Sequence, residues 1–139
     1  MQRVSRARVT PGGEIARGLC VLLWVALGDG EEQAARLAGK VARLRIFPDD
    51  VGRFDRSVEE VAGSVLVVSQ FTLIADSKRQ KGARPDFSGA ARPDVAEPLY
   101  ERFCEELRTL GVPVETGVFG AKMEVELVND GPVTIVLDG

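Results

Sequence analysis

Ser69, Gln70 and Thr72 set two hydroxyls and an amide close together around Phe71. Such groups can hold a polar substrate, and a hydroxyl can act as a nucleophile once a base removes its proton. The chain contains no histidine. That excludes Ser-His-Asp and Cys-His arrangements and any His-based metal site. Cys20 and Cys104 lie in separate apolar-periodic segments. Alone they make no structural zinc site, and they read as buried, inert thiols rather than a disulfide. No metal or cofactor is expected. The catalytic groups must then be backbone amides, hydroxyls, carboxylates, Lys or Arg, or groups on the substrate. Thr72 is the candidate nucleophile by residue type, with no evident base to activate it. A structural reading fits the same positions: a strand end whose Ser and Thr satisfy local backbone groups.

Two further stretches carry polar chemistry. Lys78, Arg79, Lys81 and Arg84 crowd one loop directly after the polar segment. They form either a solvated loop or a contact for phosphate. The net charge of −3 argues against bulk, non-specific nucleic-acid binding. Asn129-Asp130-Gly131-Pro132 reads as a turn between two strands, with a Gly-Pro bond that is trans or cis.

The elements that must position these groups follow from hydrophobic spacing. Residues 3–10 alternate loosely and predict a first strand with a partly solvated face. Pro11-Gly12-Gly13 turns the chain back into a continuously apolar strand, Leu19–Ala26. Asp29, with Glu32 three residues on, reads as a helix cap. Ala34, Leu37, Ala38, Val41 and Leu44 then recur at helical spacing to about Arg45. Ile46-Phe47 starts a short extended piece, Pro48–Gly52 is a turn, and residues 53–63 give no clear pattern. Val65-Leu66-Val67-Val68 reads as a strand buried on both faces that runs into Ser69. A second helix is predicted over 94–110, with Val95, Leu99, Phe103, Leu107 and Leu110 on one face and Pro98 near its start. Met123, Val125 and Leu127 alternate as a half-exposed strand, and Ile135–Leu137 closes the chain as another. The order predicts one α+β domain over residues 1–139, with helices packed on a bent, mostly antiparallel, barrel-like sheet. At 45% hydrophobic the 139 residues can build a core. No apolar run is long enough to span a bilayer and no signal peptide is evident, so a cytoplasmic protein without membrane contact is expected.

Ser69-Gln70-Phe71-Thr72-Leu73 in mid-chain, followed near the C-terminus by Asn129-Asp130-Gly131-Pro132-Val133-Thr134, resembles the D-aminoacyl-tRNA deacylases. Gln2–Ala7, Leu44–Phe47, Ala96–Tyr100 and Phe119–Met123 agree, so the resemblance covers nearly the whole chain. It implies a homodimer that hydrolyses the ester between a D-amino acid, or glycine, and the terminal adenosine of tRNA. It implies that Ser69, Gln70, Phe71 and Thr72 hold the aminoacyl group. Gly131-Pro132 would be cis and reach into the partner's site, where backbone carbonyls occupy the space of an L side chain, and Arg3 would help hold the pair. Met123 would lie near the adenosine, with Ala121 and Asn129 also at the substrate. Lys78, Arg79, Lys81 and Arg84 would meet tRNA phosphates. Three features depart from the pattern: a first strand that starts late, a short Pro11–Arg17 hairpin, and Trp24 in a strand where the family usually has glycine. Two other readings compete. One is a non-catalytic nucleic-acid-binding module of the same fold. The other is a structural dimerising domain with Gly131-Pro132 as an ordinary trans turn.

Overall fold

The computed structural model describes residues 1–139. Two apolar strands carry its core: β3 (Gly18–Leu23) and β6 (Ser64–Ser69), with β1 (Gln2–Thr10) and β2 (Glu14–Ile15) preceding them. β3 and β6 run parallel, in register from Gly18 opposite Ser64 to Leu23 opposite Ser69. Gly18 is required at the start of this pair, because a Cβ there would fall 1.8 Å from the Ser64 carbonyl oxygen. Side chains alternate across the pair. Leu19, Val21, Leu23, Val65 and Val67 face one cluster, and Cys20, Leu66 and Val68 face another. Each strand is thus buried on both faces, which is why it reads as continuously apolar.

The first cluster is covered by α1 (Glu31–Arg43) and α2 (Pro93–Thr109), through Ala38, Val41, Ala42, Phe103 and Leu107. The second fills the sheet's concave side with Val4, Ala7, Val9 and Ile15. β1 pairs antiparallel with β3 at its start, with β2 at its end, and with β8 (Glu124–Thr134) along its length. β7 (Val114–Thr116) lies parallel to β6. A bridge between Gly12 and Gly117, and a Gly13 N–H donated to the Thr116 carbonyl at 3.0 Å, nearly close the sheet into a barrel. A separate hairpin joins β4 (Phe47–Pro48) and β5 (Phe54–Arg56).

Most strand pairs are antiparallel, as expected, but the two that involve β6 are parallel. Several boundaries differ from the sequence reading. α1 is capped at Gly30, whose N–H donates to Gln33 Oε1 at 2.8 Å; Asp29 instead accepts from the Ala26 N–H. Its last helical residue is Arg43 rather than Arg45. In α2 the first-turn proline is Pro93, and Pro98 lies inside the helix. Val95 and Leu110 face outward, while Ala96, Tyr100 and Cys104 are buried. Asn129–Pro132 is not a turn. It belongs to the single long strand β8, which absorbs the irregularity as register shifts between Gln2 and Arg6 of its partner. Ile135–Leu137 forms no strand, although Ile135 exchanges hydrogen bonds with Met1. The hairpin after Pro11 is short, as expected, with two residues in β2.

Candidate active site

β6 ends at Ser69, and a single 3-10 turn, Phe71–Ile74, follows. The buried strand therefore delivers the polar segment to the sheet's edge. The Gln70 N–H is already committed, donating to the Leu23 carbonyl at 2.7 Å. Phe71 and Thr72 begin the 3-10 turn, and their N–H groups have no acceptor within the chain. Gln70 Nε2 donates to Thr72 Oγ1. That partner is an amide, not a base, so nothing in the hydrogen-bond pattern activates the Thr72 hydroxyl. Phe71 is 60% exposed and meets the edge of Phe87, ring centroids 5.3 Å apart. Behind the segment, the buried Tyr100 hydroxyl donates to the Val67 carbonyl at 2.8 Å, tying α2 to β6 two residues before Ser69. Burial pushes the Tyr100 hydroxyl up, and pushes the Cys20 and Cys104 thiols up to about 11. Neither thiol is a nucleophile near neutral pH.

A second constellation forms around Arg3, which is 7% exposed. Its Nε donates to the Asp130 carbonyl at 3.0 Å and its Nη1 to the Ile46 carbonyl at 2.7 Å. The Asp130 carboxylate lies 3.4 Å from Nε. Gly131 has φ +126° and is exposed with Pro132; the bond between them is cis. A Cβ on Gly131 would lie 3.0 Å from Val133 Cγ2 and 3.2 Å from Arg3 Nη2. Only glycine suits that backbone and that space.

The two constellations do not meet within one chain. Arg3 is opposite Leu19, and Leu19 opposite Val65. Ser69, opposite Leu23, lies at the other end of β6. From β8 to β6 is three strand spacings, about 14 Å across the sheet, with about 13 Å along the strands.

A model of the D-Tyr-tRNA(Tyr) deacylase family matches residues 1–138. The chain belongs to that family, a family of hydrolases. It is 59% identical to a D-aminoacyl-tRNA deacylase of Symbiobacterium thermophilum, over 99% of this chain and 93% of the relative. It is 56% identical to one from Paracoccus denitrificans, over 99% and 94%. A solved structure titled c-Myc DNA Unwinding Element Binding Protein shares 42% identity and superposes with a TM-score of 0.89, covering 99% of this chain and 95% of that one. A probable eukaryotic D-amino acid tRNA deacylase, 19% identical, shares the fold with a TM-score of 0.77, over 94% and 92%.

The remaining candidate residues of this deacylase-family chain divide between the two constellations. β7 ends at Thr116 opposite Val67, so Gly117–Met123 leaves the sheet beside the end of β6. Met123 and Ala121 lie on that segment, with Met123 packed on the barrel interior and Phe119 5.7 Å from the Tyr100 ring. Asn129 is elsewhere: it pairs with Val4, beside Arg3. Lys78, Arg79, Lys81 and Arg84 are all exposed, and Arg79 is paired with Asp76 at 3.5 Å. The loop's return is tied to the end of β3 through Ala91 N–H to the Val25 carbonyl and Leu27 N–H to the Gly89 carbonyl. Trp24 follows β3 rather than standing in it. It lines an apolar cleft of about 570 Å³ with Leu37, Leu73 and Leu99. Sequence reasoning missed Phe87 and Tyr100 as supports of the Ser69–Thr72 segment. Tyr100 sits at core spacing on α2, and only the Val67 carbonyl it meets reveals its role.

Proposed function

We propose that this chain hydrolyses the ester of D-aminoacyl-tRNA and of glycyl-tRNA as a homodimer, and that Gly131–Pro132 of one copy excludes L side chains from the Ser69–Thr72 segment of the other. Family membership supports the reaction. The observation that carries the cross-subunit arrangement is the separation of the two constellations within a single chain, with Phe71 and Thr72 exposed in one and Gly131 and Pro132 in the other.

The chemistry needs little from side chains. The aminoacyl carbonyl sits against the Phe71 and Thr72 N–H groups, which are free to receive the developing oxyanion. Gln70 contributes through its side chain only, since its N–H is already used. Water attacks the ester carbonyl carbon, its proton passing by way of the neighbouring 2′-hydroxyl to the ribose ester oxygen, whose bond to the acyl carbon breaks to release the free amino acid and the tRNA. Thr72 positions rather than attacks, because its hydroxyl meets an amide and no base. Chirality is selected by exclusion: a D side chain points away from the intruding backbone and is held loosely. Glycine has nothing to exclude. Ala121 and Met123 flank the adenosine, and Asn129, on the same strand as Gly131–Pro132, meets the substrate in the partner's site.

Purified protein incubated in parallel with D-tyrosyl-tRNA, L-tyrosyl-tRNA and glycyl-tRNA tests this. Release of D-tyrosine and glycine but not L-tyrosine is expected; hydrolysis of the L ester at the D rate overturns it. A second reading, a nucleic-acid-binding module without turnover, draws on the exposed basic loop and on the DNA-unwinding-element title of the 42%-identical structure. It requires strongly salt-dependent binding and no release of amino acid from any of the esters.

A further inference from the structure

The β4–β5 hairpin stands apart from the main sheet and carries none of the candidate site residues. Its geometry is tightly set all the same. Asp49 Oδ1 accepts the Val51 and Arg53 N–H groups at 2.9 Å each, which caps the turn. Arg56 reaches Asp50 at 3.1 Å, and Arg45 donates to the Asp55 carbonyl at 2.7 Å. Phe47 anchors the hairpin in the core, fully buried.

This bracket meets Arg3 at two points. The Ile46 carbonyl, at its root, accepts from Arg3 Nη1. The Phe54 ring lies with its centroid 5.6 Å from Arg3 Cζ. Phe54 is 57% exposed, so core burial does not explain a phenyl group there. An aromatic face attracts a guanidinium, the more so when the cation is desolvated, and Arg3 is 7% exposed. The opposite side of Arg3 holds the Asp130 carbonyl and confines Gly131. Arg3 thus works as a rivet, with the hairpin on one side and the Gly131–Pro132 segment on the other.

We infer that Phe54 is a positioning residue for stereochemical selection: by fixing Arg3, the β4–β5 hairpin sets where Gly131–Pro132 stands. The inference rests on the proposed role of Gly131–Pro132 as the excluding group. Phe54 stands beside Arg3, and its ring contact is with Arg3 rather than with the Ser69–Thr72 segment of its own chain. Its removal therefore acts on selectivity and leaves D-ester turnover unchanged.

The test compares Phe54→Ala, Phe54→Leu, Phe54→Tyr and a Gly131→Ala/Pro132→Ala double variant, each assayed on D- and L-tyrosyl-tRNA. Phe54→Ala is expected to raise L relative to D hydrolysis by about two- to fivefold, with the D rate and melting temperature near wild type. Phe54→Leu, apolar without a π face, behaves like Phe54→Ala. Phe54→Tyr restores wild-type selectivity. Unchanged selectivity in Phe54→Ala, alongside a collapse in the double variant, overturns the role of Phe54 while sparing that of Gly131–Pro132. Full rescue by leucine also overturns it, because simple apolar cover then suffices. Retained selectivity in the double variant overturns the underlying reading and this inference together.

Discussion

The Ser69–Thr72 segment and the Asp130–Pro132 segment are positioned in opposite ways. The first is the continuation of a strand buried on both faces, locked in register to β3 and tied behind by Tyr100. The working groups proposed for it are backbone N–H groups, and the core fixes their direction. The second lies on β8, which pairs only with β1 and does so irregularly. Its position depends on one buried side chain, Arg3. On the proposed reading, the core sets the geometry of reaction, and Arg3 sets the geometry of exclusion. Lesions in the two regions should therefore separate rate from selectivity.

The largest effect is expected from Phe71→Pro. Proline removes the Phe71 N–H at the first position of a turn, where its ring is tolerated, and Gln70 before it, at φ −147° and ψ 78°, lies outside the helical region that proline disfavours. Losing one oxyanion donor lowers kcat by about 10²–10³-fold. Phe71→Ala, which keeps the N–H, should lose far less; equal losses in single-turnover assays would show that the ring, not the donor, matters. Next comes Gly131→Ala. A Cβ at φ +126° against Val133 and Arg3 strains the segment by about 1–2 kcal/mol. Selectivity for D over L should fall about tenfold, with the D rate retained. A loss of D rate instead would place Gly131 in the chemistry.

Thr72→Val sharpens the comparison within the first region. If Thr72 only positions, D-ester hydrolysis falls by less than about a hundredfold, the lower bound for losing a placed acid or base. Complete loss in a folded, tRNA-binding variant would make Thr72 the nucleophile. Smallest in activity is Tyr100→Phe, which leaves the buried Val67 carbonyl short of a donor. Denaturant unfolding should show a loss of about 1–3 kcal/mol with D/L selectivity intact; altered selectivity would mean that α2 also governs the second region.

The same contrast explains how much could be read from the chain alone. Val65–Val68 announces itself, because burial on both faces leaves only apolar residues, and the polar run that follows marks the strand's end. Parallel pairing with β3 is not visible, since an apolar run looks the same in either direction. The continuity of β8 is hidden for a related reason. Asn129-Asp130-Gly131-Pro132 has turn chemistry, yet tertiary pairing with β1 overrides it and turns the local irregularity into bulges. The motif residues were legible by resemblance, but their supports were not. Ile46 holds Arg3 through its carbonyl, and the group proposed for Phe71 is its N–H; a backbone group leaves no trace in residue type. Phe54 lies in the stretch that showed no pattern, because a ring that covers a distant arginine follows no local period.

The central claim is that the two regions cooperate between copies rather than within one. Differently tagged chains, one carrying Phe71→Pro and the other Gly131→Ala/Pro132→Ala, can be co-expressed and the mixed dimer isolated. Its one competent Ser69–Thr72 segment then belongs to the chain with the damaged Gly131–Pro132, and it faces the intact pair of the other. The account predicts D-tyrosyl-tRNA hydrolysis at about half the wild-type rate with wild-type rejection of L-tyrosyl-tRNA. Hydrolysis of the L ester as fast as in the Gly131→Ala/Pro132→Ala homodimer would show that each chain polices its own site, and would contradict the account.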